Sequence, residues 1–143
     1  MSKIKVIYWS QSGNTEAMAK YIVKGIAEAG KEGEALFVSN VSSDDLKNDN
    51  IFALGCPAMG AEVLEEYEME PFIESLESSV SGKKIALFGS YGWGDGEWMR
   101  NWVERMSSAG ATIINDDGLI CQEMPDEKGE LECIELGKKL ASI

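Results

Sequence analysis

Apolar residues along this chain alternate between two regimes. Short, nearly continuous apolar runs occupy residues 3–9, 34–38, 51–55, 84–89 and 112–114, with a continuation near 119–121. Runs of that length, bounded by polar or glycine-rich stretches, predict strands buried on both faces. Between them the apolar positions recur every three or four residues. Over 16–29, Ala17, Met18, Tyr21, Ile22 and Ile26 form one stripe, and Gly30 is placed to end the helix. Comparable stripes predict helices over 71–79, with Phe72, Ile73 and Leu76 inward, over 97–109 and over 131–143. The stretch 43–47 fits a helical turn or a short helix. Strands alternating with helices imply right-handed βαβ crossovers: an α/β chain with a doubly wound parallel sheet and helices on both faces. In such a sheet ligands bind beyond the carboxyl ends of the strands, where the chain order reverses.

Composition narrows the partners. At 143 residues the chain fits one domain, 1–143, that buries roughly 68–70% of its unfolded surface without disulfides or metals. A net charge of −12 with no histidine disfavours nucleic acid and anionic membrane surfaces, and favours basic protein partners. Cys56, Cys121 and Cys133 are odd in number and widely spaced, which speaks against a zinc site, an iron–sulfur site or a disulfide framework. No leader pattern opens the chain, and no apolar run nears the ~18 residues of a membrane span, so the expected setting is a reducing cytoplasm.

The chemistry concentrates in three loops that follow the first, third and fourth apolar runs. The first is Ser10-Gln11-Ser12-Gly13-Asn14-Thr15, which joins a strand to a helix start. Its hydroxyls, its amides and the helix dipole all favour an anion. Read alone, the loop is equally an ordinary helix cap. Neither Lys nor Arg lies between Lys5 and Lys20, so a phosphate held there keeps its charge, and a Walker-type site is excluded. The second loop is Cys56-Pro57-Ala58-Met59-Gly60-Ala61-Glu62, and the third is Ser90-Tyr91-Gly92-Trp93-Gly94-Asp95-Gly96. Trp93 lies between two glycines in a segment too polar to bury it, as a residue awaiting a flat partner would. Trp98 and Trp102, at helical spacing, read as core, whereas Trp9 is either a packing residue or a support for the first loop.

These three loops, in this order, resemble the flavin-binding loops of short-chain flavodoxins from anaerobic bacteria, and the similarity runs from residue 3 to the end of the chain. The resemblance implies a five-stranded sheet in the order 2-1-3-4-5 that binds FMN non-covalently. Ser10, Ser12, Asn14 and Thr15 would be side-chain donors to the phosphate, with Gly13 allowing close approach and the backbone of Gln11 contributing. Pro57, Ala58, Met59, Gly60, Ala61 and Glu62 would border the ring. Of these, Met59 would pack on one face, the Met59–Gly60 peptide would face flavin N5, and Glu62 would accept from N3–H. Ser90, Tyr91, Gly92, Trp93 and Gly94 would close the other side, with Trp93 stacked on the outer face. Gln11 stands where close relatives carry Gly, and Ala61 where many carry Asp.

The function implied is low-potential, one-electron transport on the semiquinone/hydroquinone couple by a monomer. It would serve ferredoxin-type donors and acceptors with basic surfaces. At ~10 Å and an effective dielectric of ~20, each negative charge opposes a second reduction by roughly 1.7 kcal/mol before screening. The carboxylates Glu62, Glu65, Glu66, Glu68 and Glu70 read either as a steering surface or as a solvated helix face. Three other functions are weighed against this one. An FMN-dependent reductase needs a substrate cavity that no extra segment supplies. A flavin-free receiver domain needs acidic residues where Ser10 stands and a phospho-accepting Asp where Cys56 stands. A low-molecular-weight phosphatase needs Arg six residues after its Cys, where this chain has Glu62.

Overall fold

Pairing of the apolar runs produces the predicted order. In the computed structural model, which describes residues 3–143, β1 (Ile4–Tyr8), β2 (Gly33–Phe37), β3 (Ile51–Gly55), β4 (Lys84–Tyr91) and β5 (Thr112–Ile113) form a parallel sheet in the order β2-β1-β3-β4-β5. Alternate side chains point to opposite faces. Ile7, Leu54 and Leu87 enter one core with Trp98 and Trp102, beneath α2 (Met69–Leu76) and α3 (Glu97–Ser108). Val6, Ala53, Ala86 and Phe88 enter the other, beneath α1 (Asn14–Glu28) and α4 (Glu127–Ser142). Short 3-10 turns at Val38–Asn40 and Ser43–Leu46 stand at the end of β2 and in the 43–47 stretch. Among the described residues, no helix is long and apolar enough to cross a membrane.

The fifth strand position departs from the sequence reading. The continuation near 119–121 is a separate strand, β6 (Leu119–Gln122), which pairs in parallel with Phe88–Tyr91 at the carboxyl half of β4, while β5 covers only Lys84 and Ile85. The chain bulges away between them, and Asn115 fills the gap. Its side-chain oxygen accepts from Leu87 N at 3.2 Å and its amide donates to Leu87 O at 2.8 Å, standing in for a missing ladder rung. Periodicity has no signal for a side chain that mimics backbone.

Helix starts also move, α1 beginning at Asn14 where the stripe predicts 16. α2 begins at Met69, not at residue 71, and ends at Leu76, because the buried carboxylate of Glu65 accepts from the amides of Tyr67, Glu68 and Met69 at 2.9, 2.7 and 2.9 Å. Pro71 then lies in the first turn, where its missing N–H costs nothing. α4 begins at Glu127, well before 131, since Asp126 Oδ1 accepts from Gly129 N at 2.8 Å. That first turn carries no apolar residue inward, so no stripe announced it.

α1 and α4 pack backbone to backbone. A Cβ on Gly25 would come 2.0 Å from Ile134 O, and one on Gly137 would come 2.0 Å from Ile22 O. Gly137→Ala is therefore expected to destabilise the protein by about 1–3 kcal/mol in urea unfolding despite its higher helix propensity. A neutral or stabilising result would contradict this packing.

Candidate functional site

The carboxyl ends of β1, β3 and β4 deliver the three loops to one place, and hydrogen bonds beyond the strands continue to hold them together. Trp9 N donates to Gly55 O at 3.0 Å, Cys56 N to Phe88 O at 3.1 Å and Ala58 N to Ser90 O at 3.0 Å. Between the loops lies a cleft of about 250 Å³. Ser10, Gln11, Ser12, Asn14 and Thr15 line one side, Pro57, Ala58 and Met59 the floor, and Ser90, Tyr91 and Gly92 the far side. Trp9 and Glu123 complete it, and its lining contains neither Lys nor Arg.

The first loop wraps around a hydroxyl. Ser10 Oγ accepts from Gly13 N at 3.2 Å and from Glu16 N at 3.3 Å, so it caps α1 in addition to facing the cleft. A hydroxyl accepts two hydrogen bonds and donates one, which leaves the Ser10 O–H free to donate to an anion. Among the described residues no protein acceptor meets the amides of Asn14 and Thr15, and as orphans of a first helical turn they too are anion donors. Thr15 is buried, and its Oγ1 lies 2.9 Å from Ser90 Oγ, so this predicted phosphate donor also ties the first loop to the third. Below the loop, Tyr8 donates to Glu16 Oε2 at 3.0 Å, and burial together with that bond pushes the phenol above its ordinary range.

The second loop is a tight reversal. Met59 and Val63 exchange both backbone bonds at 2.9 Å, and Gly60 (φ 49°) and Glu62 (φ 55°) carry the turn in the left-handed region. Glycine takes that conformation freely, whereas a glutamate pays roughly 1–2 kcal/mol for it. The compensation is visible: Glu62 Oε1 accepts from Gly96 N at 3.3 Å, tying this loop to the third. Gly94, packed against that carboxylate, has φ 90°, a left-handed conformation that favours glycine. At the root of the loop Cys56 O accepts from Trp98 Nε1 at 3.0 Å and Cys56 Sγ from Glu65 N at 3.4 Å. Burial pushes this thiol up to about 12, which leaves it inert.

Outside the cleft lining stand Gly13, Gly60, Ala61, Glu62, Trp93 and Gly94. Trp93 is 67% exposed and projects from the third loop, while Trp98 and Trp102 are core, as the helical spacing predicted. Trp9 supports the site: it lines the cleft, and its Nε1 donates to Glu68 Oε1 at 3.1 Å. The acidic run is not a uniform solvated face. Glu65 is a buried cap, and Glu70 forms a two-pronged pair with Arg105, which also holds Glu77. Sequence reasoning missed Glu123, which β6 carries to the rim and whose amide donates to Tyr91 O at 2.8 Å. Its only signal was its place just after the 119–121 apolar run.

The donor chemistry fits a phosphate-bearing flavin: hydroxyls and free amides at a helix start, a thioether beside a turn through a left-handed glycine, and an exposed indole on the third loop. The comparisons with known proteins agree. The flavodoxin family model matches residues 6–137. The chain is similar to a flavodoxin of Clostridium beijerinckii, 56% identical over 98% of this chain and 100% of the relative, and to one of Megasphaera elsdenii, 45% identical over 96% and 98%. Among solved structures it superposes on the two-electron reduced Megasphaera elsdenii flavodoxin with a TM-score of 0.88 and 44% identity, covering 98% of this chain and 99% of that one. An archaeal flavodoxin gives a TM-score of 0.87 at 32% identity, covering 99% and 97%. The chain therefore belongs to the flavodoxin family, whose members are FMN-binding electron carriers between redox partners and not enzymes.

Proposed function

We propose that FMN is held by the three loops with its phosphate on the Ser10–Thr15 side and its ring between Met59 and Trp93, and that the chain works as a low-potential carrier. The observation that carries this reading is the cation-free cleft at the carboxyl ends of β1, β3 and β4. Bound there, FMN supplies reversible one-electron reduction. Ser10, Ser12, Asn14 and Thr15 bind the phosphate through neutral donors and leave its charge in place. Gly60, already in the left-handed region, would let the Met59–Gly60 peptide turn so that a carbonyl could accept a hydrogen bond from the flavin N5 position. Glu62 is positioned to trade its bond from Gly96 N for one from the pyrimidine edge. Trp93 restricts water over the outer ring face. The uncompensated phosphate and the carboxylates of Glu62, Glu65, Glu68 and Glu123 oppose negative charge on the ring, which lowers the potential of the second reduction.

The docking face is the same end of the molecule. Val63, Tyr67, Trp93 and Met124, four of the six exposed large apolar residues among those described, lie on segments bordering the cleft, amid Glu62, Glu66, Asp95 and Glu97. An apolar centre ringed by carboxylates suits basic redox proteins of the ferredoxin-linked kind. The chain itself is read as a monomer, 1–143, working in the cytoplasm.

Three outcomes test this reading. The purified protein, or apoprotein mixed with FMN at micromolar levels, is expected to show bound-flavin absorption with quenched FMN fluorescence; unquenched FMN would refute it. Gly60→Ala is expected to lower the first midpoint potential and raise the second by about 20–60 mV each, the equivalent of a hydrogen bond of about 0.5–1.5 kcal/mol. Unchanged potentials would contradict the peptide-turn account. Electron-transfer rates to a basic partner should fall steeply with ionic strength, whereas a flat dependence would remove the steering role of the acidic rim.

A further inference from the structure

We propose that Glu68 is a positioning residue for phosphate selectivity: its carboxylate holds the Trp9 indole, and through it the entry to the first loop, so that the loop takes FMN in preference to flavins without a phosphate. The inference rests on the reading of Ser10, Ser12, Asn14 and Thr15 as phosphate donors, and adds to it a residue 59 positions beyond Trp9. Among the described residues, two side-chain contacts tie residues 9–15 by hydrogen bond to elements other than β1 and α1. Thr15 Oγ1 lies 2.9 Å from Ser90 Oγ where the loop enters α1, and Trp9 Nε1 donates to Glu68 Oε1 at 3.1 Å where the loop leaves β1. The loop is held at both ends.

The parallel ladder stops at the entry. Trp9 N donates to Gly55 O at 3.0 Å, and for Ser10, Gln11 and Ser12 the described residues show no backbone bond to a neighbouring strand. Ser10, which caps α1 and keeps a donor for an anion, is therefore placed by what fixes Trp9 beside it. Glu68 is suited to that task because its own backbone is pinned. Its amide donates to the buried Glu65 carboxylate at 2.7 Å and its carbonyl accepts from Phe72 N at 3.2 Å, while Glu65 N donates to Cys56 Sγ at 3.4 Å at the root of the second loop. A charged acceptor also strengthens the indole bond. Trp9 packs against the core beneath α2 and α3 and lines the cleft, so a ring released from Glu68 regains rotamer freedom next to Ser10. Phosphate binding needs several donors aimed at one point, and ordering them on binding costs affinity. The second and third loops, which border the flavin ring in the proposed function, keep their own ties to each other through Glu62 and Gly96. The loss should fall on the phosphate.

The test titrates full-length apoprotein, unaltered and substituted, with FMN and with riboflavin, following flavin fluorescence. Glu68→Leu and Trp9→Phe should each weaken FMN by about 5–20-fold and riboflavin by less than about 2-fold, and the double variant should be no weaker than either alone. Glu68→Gln, which keeps an acceptor for the indole but not the charge, should retain the FMN preference of the unaltered chain to within about 2-fold. In proton NMR the Trp9 indole N–H should exchange slowly with solvent in the unaltered chain and in Glu68→Gln, and rapidly in Glu68→Leu. Equal losses for FMN and riboflavin, additive effects of the two substitutions, a Glu68→Gln variant as weak as Glu68→Leu, or an indole exchange rate indifferent to residue 68 would each overturn the assignment. Equal affinities for the two flavins in the unaltered chain would instead remove the phosphate reading itself, and this inference with it.

Discussion

A buried pair of hydroxyls, Thr15 Oγ1 and Ser90 Oγ, 2.9 Å apart, joins the two halves of this site. One stands in the first turn of α1 and the other near the end of β4, 75 residues later, with β3 lying between their strands. The Ser90 amide reinforces the contact by donating to Thr15 Oγ1 at 3.4 Å. Removing either hydroxyl would leave a buried polar partner unmatched, a cost of about 1–3 kcal/mol, so the pair holds the first and third loops at a fixed spacing. The parallel ladder sets the height of the loops, and this contact sets their separation across the cleft.

Around that contact the site is built from groups that bind charge without cancelling it. Hydroxyls and first-turn amides face the anion position, and the carboxylates nearby act as struts. Glu62 links the second and third loops, Glu65 caps α2, and Glu68 holds Trp9. Each carboxylate is satisfied by backbone or indole N–H donors, which is how a chain of net charge −12 keeps so many at one end without placing a lysine among them. Arg100, in the first turn of α3 just after the third loop, pairs with Asp95. Fold stability and the proposed low potential thus draw on one arrangement.

Much of this was legible from residues alone because the informative signals are local. The strand runs, the stripe over α1 and the three loops each report on short-range structure, and parallel connectivity then brings the loops together. The missing features depend on one side chain acting at a distance. Asn115 patches β4 where the fifth strand breaks, Glu65 starts α2 early, and Glu123 reaches the rim because β6 shifts to the upper half of β4. None leaves a periodic trace. Ser10 and Thr15 show a subtler limit: their composition pointed to an anion loop or to a cap, and the structure uses Ser10 as a cap with a donor to spare.

The central claim is that neutral donors at the start of α1 recognise a phosphate whose charge they leave standing. Comparing apoprotein affinity for FMN and for riboflavin, which lacks only the phosphate, across a range of salt concentrations tests it most directly. With two or more charge-assisted hydrogen bonds at about 1.5–3 kcal/mol each, FMN should bind at least about 100-fold more tightly, and that advantage should change little with salt because no cation is involved. Equal affinities, or an advantage that disappears as salt rises, would contradict the account.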